Sequence, residues 1–297
     1  MEQTELNKWK KAGEIAALLM KKTKQLCKPG VPLLEIAEKI EAEAESLKVK
    51  WAFPINLSIN EIAAHATPQH DDKTLASGLL KIDLGISIDG CISDMACSVD
   101  LTPDKKFKKM IEANEKALQE AIKVIKLGVQ VNEIGKKIHE AITKDGFAPI
   151  RNLSGHELQR NTLHAGLTIP NYDNGNKLQL EEGVYAIEPF ATTGEGVVQD
   201  GKPSGIFMLL NKKPVRDRTS REVLEFIEKE YSTLPFSARW IVKKFGTRAL
   251  ISLKSMQQQE ILHSFAELIE KSRAPVSQAE HTVLIEKGKV SVLTELN

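Results

Sequence analysis

The stretch Leu80-Lys81-Ile82-Asp83-Leu84-Gly85-Ile86-Ser87-Ile88-Asp89-Gly90-Cys91-Ile92-Ser93-Asp94-Met95-Ala96-Cys97-Ser98-Val99 (residues 80–99) decides the fold. Asp-Gly between two alternating runs predicts a tight antiparallel hairpin, because such a two-residue turn needs positive φ at both positions. With Asp89-Gly90 at the turn, Ile88 faces Cys91, Gly85 faces Asp94 and Asp83 faces Ala96. Side chains alternate faces with period two, so Asp83 and Asp94 leave the same face as diagonal neighbours. Their Cα atoms are expected roughly 7–8 Å apart, with the side-chain ends closer. Two carboxylates on one half-buried face repel each other and lose hydration unless cations lie between them. One or two divalent ions would meet that demand. A face open to water would meet it equally, and this pair alone does not choose.

Outward from the hairpin, the pattern repeats. Trp9, Ile15, Leu18 and Leu19 recur at helical spacing until Lys28-Pro29-Gly30. Leu33, Ile36, Ala37, Ile40, Ala44 and Leu47 mark a second helix, and residues 51–60 alternate like a strand. After the hairpin, Phe107, Met110, Ile111, Leu118, Ile122 and Ile125 mark a helix that Gly128 ends. Val131, Ile134, Ile138 and Ile142 mark another, ended by Gly146. Strands and loops are expected over 147–200, and helix again over 217–271. A last hairpin is expected from Thr282–Ile285 and Val290–Leu293, with Gly288 between them. Two helices then strands, twice over, predict an α+β chain of two similar halves.

The composition fits a globular protein. Of 297 residues, 41 are Lys or Arg and 40 Asp or Glu, a net charge of +1, which argues against a dedicated nucleic-acid binder. No apolar run is long enough for a transmembrane helix, and Met1–Lys11 lacks an apolar signal core. The three cysteines, Cys27, Cys91 and Cys97, lack a zinc-type pairing and read as reduced thiols of a cytoplasmic protein. Residues 212–248 hold ten Lys or Arg against five Asp or Glu, which reads first as a solvated helical face. A weak contact with RNA is the sharper reading.

Other donors stand in apolar strand contexts. His156 follows Ser154-Gly155, Glu188 follows Val184-Tyr185-Ala186-Ile187, and Glu280 precedes His281-Thr282-Val283-Leu284-Ile285. A charge in a hydrophobic strand is rarely left unpaired. Asp83, Asp94, His156, Glu188 and Glu280 together offer four carboxylates and one imidazole, a set suited to Mn, Fe, Co or Zn. Two metals sharing carboxylates about 3.5–4 Å apart are a standard arrangement for hydrolysis. His65 and His164 read as site residues that are not ligands, whereas His70, His139 and His263 read as surface groups.

As a set, these residues resemble the type II methionine aminopeptidases, in their archaeal form. The matching segments are Ala64-His65-Ala66-Thr67-Pro68, Lys81-Ile82-Asp83-Leu84-Gly85, Ile92-Ser93-Asp94, Gly155-His156, His164-Ala165-Gly166, Ile187-Glu188-Pro189 and Glu280-His281-Thr282. The resemblance implies a pita-bread fold, creatinase/aminopeptidase-like. It would have two pseudo-symmetric halves with antiparallel sheet covered by helices, in a single domain over 1–297 with a helical insertion at 205–272. It also implies two divalent metal ions. Asp83 would hold one, His156 and Glu188 the other, and Asp94 and Glu280 would bridge them. Glu188 would also be the general acid/base for the attacking water. His65 would contact the scissile amide nitrogen, and His164 the substrate backbone or oxyanion.

Phe53 and Leu163 are candidates for the wall of a methionine pocket, or equally simple core residues. Members of the type often carry His where this chain has Gln199. The implied activity is removal of the initiator methionine before a small second residue, by a cytoplasmic monomer. Its partner would be the nascent polypeptide N-terminus, with a weak ribosome contact, no membrane and no dedicated nucleic-acid binding. Two other readings share the fold: an Xaa-Pro peptidase, and a binding protein without activity.

Overall fold

The computed structural model describes residues 2–295. Helices α1 (Gln3–Leu26) and α2 (Leu33–Ser46) precede strands β1 (Lys50–Ile59), β2 (Ile62–Ala64), β3 (Leu79–Ile88) and β4 (Cys91–Asp100). The same order then recurs: α3 (Lys108–Val124) and α4 (Val131–Lys144), followed by β5 (Ala148–Pro149), β6 (Ser154–Leu158), β7 (Thr168–Pro170), β8 (Gly183–Ile187) and β9 (Phe190–Thr192). Strand β10 (Val198–Leu209) leads into α5 (Arg218–Glu230), β11 (Phe236–Ser237), α6 (Ala238–Phe245) and α7 (Ala249–Gln258). The chain closes with β12 (Leu262–Glu270), β13 (Val276–Gln278), β14 (His281–Glu286) and β15 (Lys289–Val292).

The hairpin has the expected register. Ile88 pairs with Cys91, Gly85 with Asp94 and Asp83 with Ala96. Asp89 and Gly90 both take positive φ, +50° and +87°, as a tight turn of this hand requires. The apolar stripes of α1 and α2 bury against β1, β3 and β4, with Ile36, Leu80, Ile82 and Leu84 fully covered. In the second half α3 and α4 cover a second core that includes Ile138, Tyr185, Ile187 and Val283. That core belongs to a five-stranded sheet ordered β15-β14-β8-β6-β7.

Three expectations need correction. The stretch 217–271 is helical only to Gln258: Leu262–Glu270 is a strand between β10 and β2 in the sheet β11-β10-β12-β2. Its side chains are partly covered on both faces, so no period-two signal survives in its sequence. Helices α5 to α7 therefore hang between two paired strands, over a core of their own that includes Val223, Phe236, Ile241 and Met256. Second, Glu188 is not inside a strand: β8 ends at Ile187 and β9 starts at Phe190. Third, Gln199, a position the resemblance places in the pocket region, sits on β10 opposite Ile269, exposed and outside the cavity lining.

Candidate metal centre and substrate pocket

The two halves meet where β4 passes the start of β14. Ala96 and Glu280 form an isolated antiparallel bridge. The Asp94 N–H donates to Thr282 Oγ1 at 2.7 Å, and that hydroxyl donates back to the Asp94 carbonyl at 2.7 Å. This stitching carries Glu280, from the second half, to the hairpin face that bears Asp83 and Asp94. Glu188 and Glu280 occupy matching places, each in the short break between two strands (β8/β9 and β13/β14). There a side chain can turn inward without spoiling a ladder.

All five expected donors converge. Oxygen or nitrogen atoms of Asp94, His156 and Glu280 lie within 4.8 Å of one another, as do those of Asp83, Glu188 and Glu280. Glu280 is common to both groups. Glu188 stands on the Asp83 side, where the resemblance groups it with His156. His156 Nε2 lies 3.7 Å from Asp94 Oδ2, and both side chains are buried.

The electrostatics of this cluster are severe. Burial pushes Asp83 up to about 7, against a hydrogen bond from Gln278 that lowers it. Burial, then the charges of Asp83 and Glu188, hold Asp94 well above the carboxylate range. Burial and Asp83 do the same to Glu188. Glu280 is raised by burial, then by Asp94, Glu188 and Asp83. Burial, then His164, lowers His156 to about 3, so its imidazole is neutral. Asp83 Oδ1, Asp94 Oδ1, both Glu280 carboxylate oxygens and His156 Nδ1 are buried without a hydrogen-bond partner. An unpaired buried charge costs several kcal/mol, and a whole domain is stable by only about 5–15 kcal/mol. Hard oxygen donors with one neutral imidazole, left without protein partners, fit divalent transition metals.

Asp83, Asp94, His156 and Glu188 line a cavity of about 240 Å³. Its apolar lining includes Phe53, Leu163, Ile206, Pro235, Phe265 and Leu268. Phe53 can lie across the hairpin because residue 85 is glycine: a Cβ there would sit 2.3 Å from the Phe53 ring. His65 and His164 also line the cavity. His65 adopts the left-handed conformation, φ +62°, which costs a non-glycine residue roughly 1–3 kcal/mol and is held by its surroundings. Its Nδ1 lies 3.3 Å from the Ala266 carbonyl, which can only accept, so Nδ1 carries the proton. Burial, against that hydrogen bond, lowers His65 to about 4. The neutral ring therefore offers Nε2 as an acceptor. The His164 ring lies against His156, centroids 4.3 Å apart, and burial lowers its pKa as well.

Two residues of this region escaped the sequence reading. Gln278 Nε2 donates to Asp83 Oδ2 at 3.0 Å and to Glu188 Oε1 at 2.9 Å, tying the two carboxylates together. The available signal was alternation: Gln278 precedes Glu280 by two and shares its face. Phe265 was hidden because β12 read as helix. His263 stands exposed beside Phe265, their rings 4.5 Å apart, and lines no part of the cavity.

Fold and donors together define a pita-bread metallopeptidase. Residues 7–224 match the metallopeptidase family M24. A methionine aminopeptidase of Pyrococcus horikoshii is 45% identical over 296 residues, 98% of this chain and 100% of the relative. One of Methanocaldococcus jannaschii is 40% identical over 287 residues, 96% of each. The solved methionine aminopeptidase of Thermotoga maritima shares the fold, with TM-score 0.71 and 21% identity, over 100% of this chain and 98% of that one. The chain belongs to metallopeptidase family M24.

Proposed function

We propose that this chain is an aminopeptidase that removes the N-terminal methionine from new polypeptides and peptides, preferring a small second residue. The observation that carries this reading is the five-donor cluster, four of whose members line a cavity of about 240 Å³ that also has apolar walls. The methionine aminopeptidases that align along nearly the whole chain support the choice of substrate.

Asp83, Asp94, His156, Glu188 and Glu280 would hold two divalent ions, of Co, Mn, Fe or Zn. Bound there, the ions supply Lewis acidity toward the peptide carbonyl and lower the pKa of the attacking water. The remaining roles fall to side chains. The apolar walls, Phe53, Leu163 and Phe265 among them, take the thioether, which fills irregular apolar space well. Glu188 takes the proton of the water and returns it to the departing amine. His65 Nε2 accepts the N–H of the scissile amide and fixes its orientation. His164 hydrogen-bonds the substrate carbonyl, where negative charge develops.

The partner is the N-terminus of a nascent chain, met by a monomer in the cytoplasm. Buried, unpaired Cys27, Cys91 and Cys97 support that compartment. Among the described residues no helix is long and apolar enough to cross a membrane. Arg216, Arg221, Lys229, Lys243 and Arg248 stand exposed on the insertion and would serve a weak electrostatic contact with the ribosome.

The substrate test is direct. With metal supplied, Met-Gly-type peptides should lose methionine much faster than Xaa-Pro peptides are cut. Faster release of proline-linked residues would reassign the enzyme, and no cleavage of either would make the chain a binding protein.

A further inference from the structure

We propose that Arg239 is a positioning residue: from the insertion, it sets the segment that carries His65. Residues 65–69 belong to no helix or strand, so backbone ladders do not hold them. Among the described residues the backbone ties here are Leu57 N–H to the Ala66 carbonyl at 2.7 Å and Asp72 N–H to the Gln69 carbonyl at 3.2 Å; side chains hold the rest. Arg239, at the start of α6, is 4% exposed. Its Nε donates to the Pro68 carbonyl at 2.9 Å. Its Nη1 and Nη2 both grip the Glu41 carboxylate of α2, Nη2 at 2.9 Å, and Trp240 Nε1 donates to the same carboxylate at 2.7 Å. Gln69 Nε2 adds a second tie, to the Ser204 carbonyl at 2.7 Å.

A planar guanidinium held by a bidentate carboxylate has one orientation, so its third N–H presents a fixed point to Pro68. That point lies three residues from His65, whose backbone is in the left-handed region and needs outside restraint. Arg239 does not line the cavity, and a route through the neighbouring Pro235, which does, is separated from a route through this segment by the His65→Ala background. Arg239 thus has a part in the chemistry without touching it.

The inference rests on the peptidase reading above. Arg239→Met is expected to lower kcat on a Met-Gly peptide about tenfold, with KM and metal content changed by less than about twofold. In a His65→Ala background the same change should alter kcat by less than about twofold. Equal losses in both backgrounds, or a loss of bound metal, overturn the proposal. If Arg239→Met does not fold, Arg239→Lys keeps the charge opposite Glu41 without the fork. A loss that needs His65 supports the proposal, and equal loss or none in both backgrounds overturns it. An unaltered chain that cleaves nothing defeats the peptidase reading itself. An active one with additive losses defeats only the Arg239 assignment.

Discussion

Gln278 Nε2 lies 3.0 Å from Asp83 Oδ2 and donates to it, the one protein hydrogen bond that this carboxylate receives among the described residues. The same nitrogen reaches Glu188, so one amide holds carboxylates from both halves. Gln278→Leu should lower divalent-metal affinity about 10–100-fold, the usual effect of losing a group that orients ligands. Titration calorimetry with Mn or Co measures it. Unchanged affinity would mean that Gln278 merely fills space.

Glu188→Gln keeps shape and loses the proton acceptor. We expect a folded variant whose turnover of a Met-Gly peptide falls by at least about 10²-fold. Circular dichroism and steady-state kinetics separate the two effects. Near-normal turnover would remove Glu188 from the proton path.

His65→Ala should cost rate, not metal. His65 belongs to neither donor group and its ring is neutral, so its loss is expected to lower kcat about 10²-fold while metal content stays level. Elemental analysis of the variant alongside its kinetics is the check. Loss of metal would show that His65 belongs to the ligand set.

The carboxylates also predict how the metal-free chain responds to pH. Asp83 is raised to about 7 from 3.8, so between those values the folded chain binds more protons than the unfolded one. The contribution of Asp83 to stability therefore falls as pH rises through that window, and Asp94, Glu188 and Glu280 push in the same direction, while His65 and His156, lowered to about 4 and about 3, push the other way below 6.5. Saturating metal should reverse this, since it binds the charged carboxylates. Urea melts in chelator at pH 5 and 7 test it. The parent should lose more stability across the step than Asp83→Asn, and equal losses would contradict the assignment.

How much of this was legible follows the local physics. The Asp89-Gly90 turn sets the register of β3 and β4 residue by residue, so the placing of Asp83 beside Asp94 could be read directly. The approach of Glu280 could not, because it depends on a single bridge to Ala96, 184 residues away in sequence, and on the Thr282 hydroxyl. It came instead from the ordered set of motifs. Strand β12 was lost because burial on both faces erases alternation, and Phe265 was lost with it. Gln278 escaped because an uncharged amide in an apolar context raises no electrostatic alarm.

The central claim is that Asp83, Asp94, His156, Glu188 and Glu280 act together as a binding site for metal that the reaction requires. Dialysis against chelator, followed by stepwise return of Mn or Co, measures bound metal and Met-Gly cleavage on one sample. The account predicts that cleavage vanishes with the metal, returns as sites fill toward two ions per chain, and fails to return in Asp94→Asn. Full cleavage by the metal-free chain, or undiminished metal binding by Asp94→Asn, would contradict it.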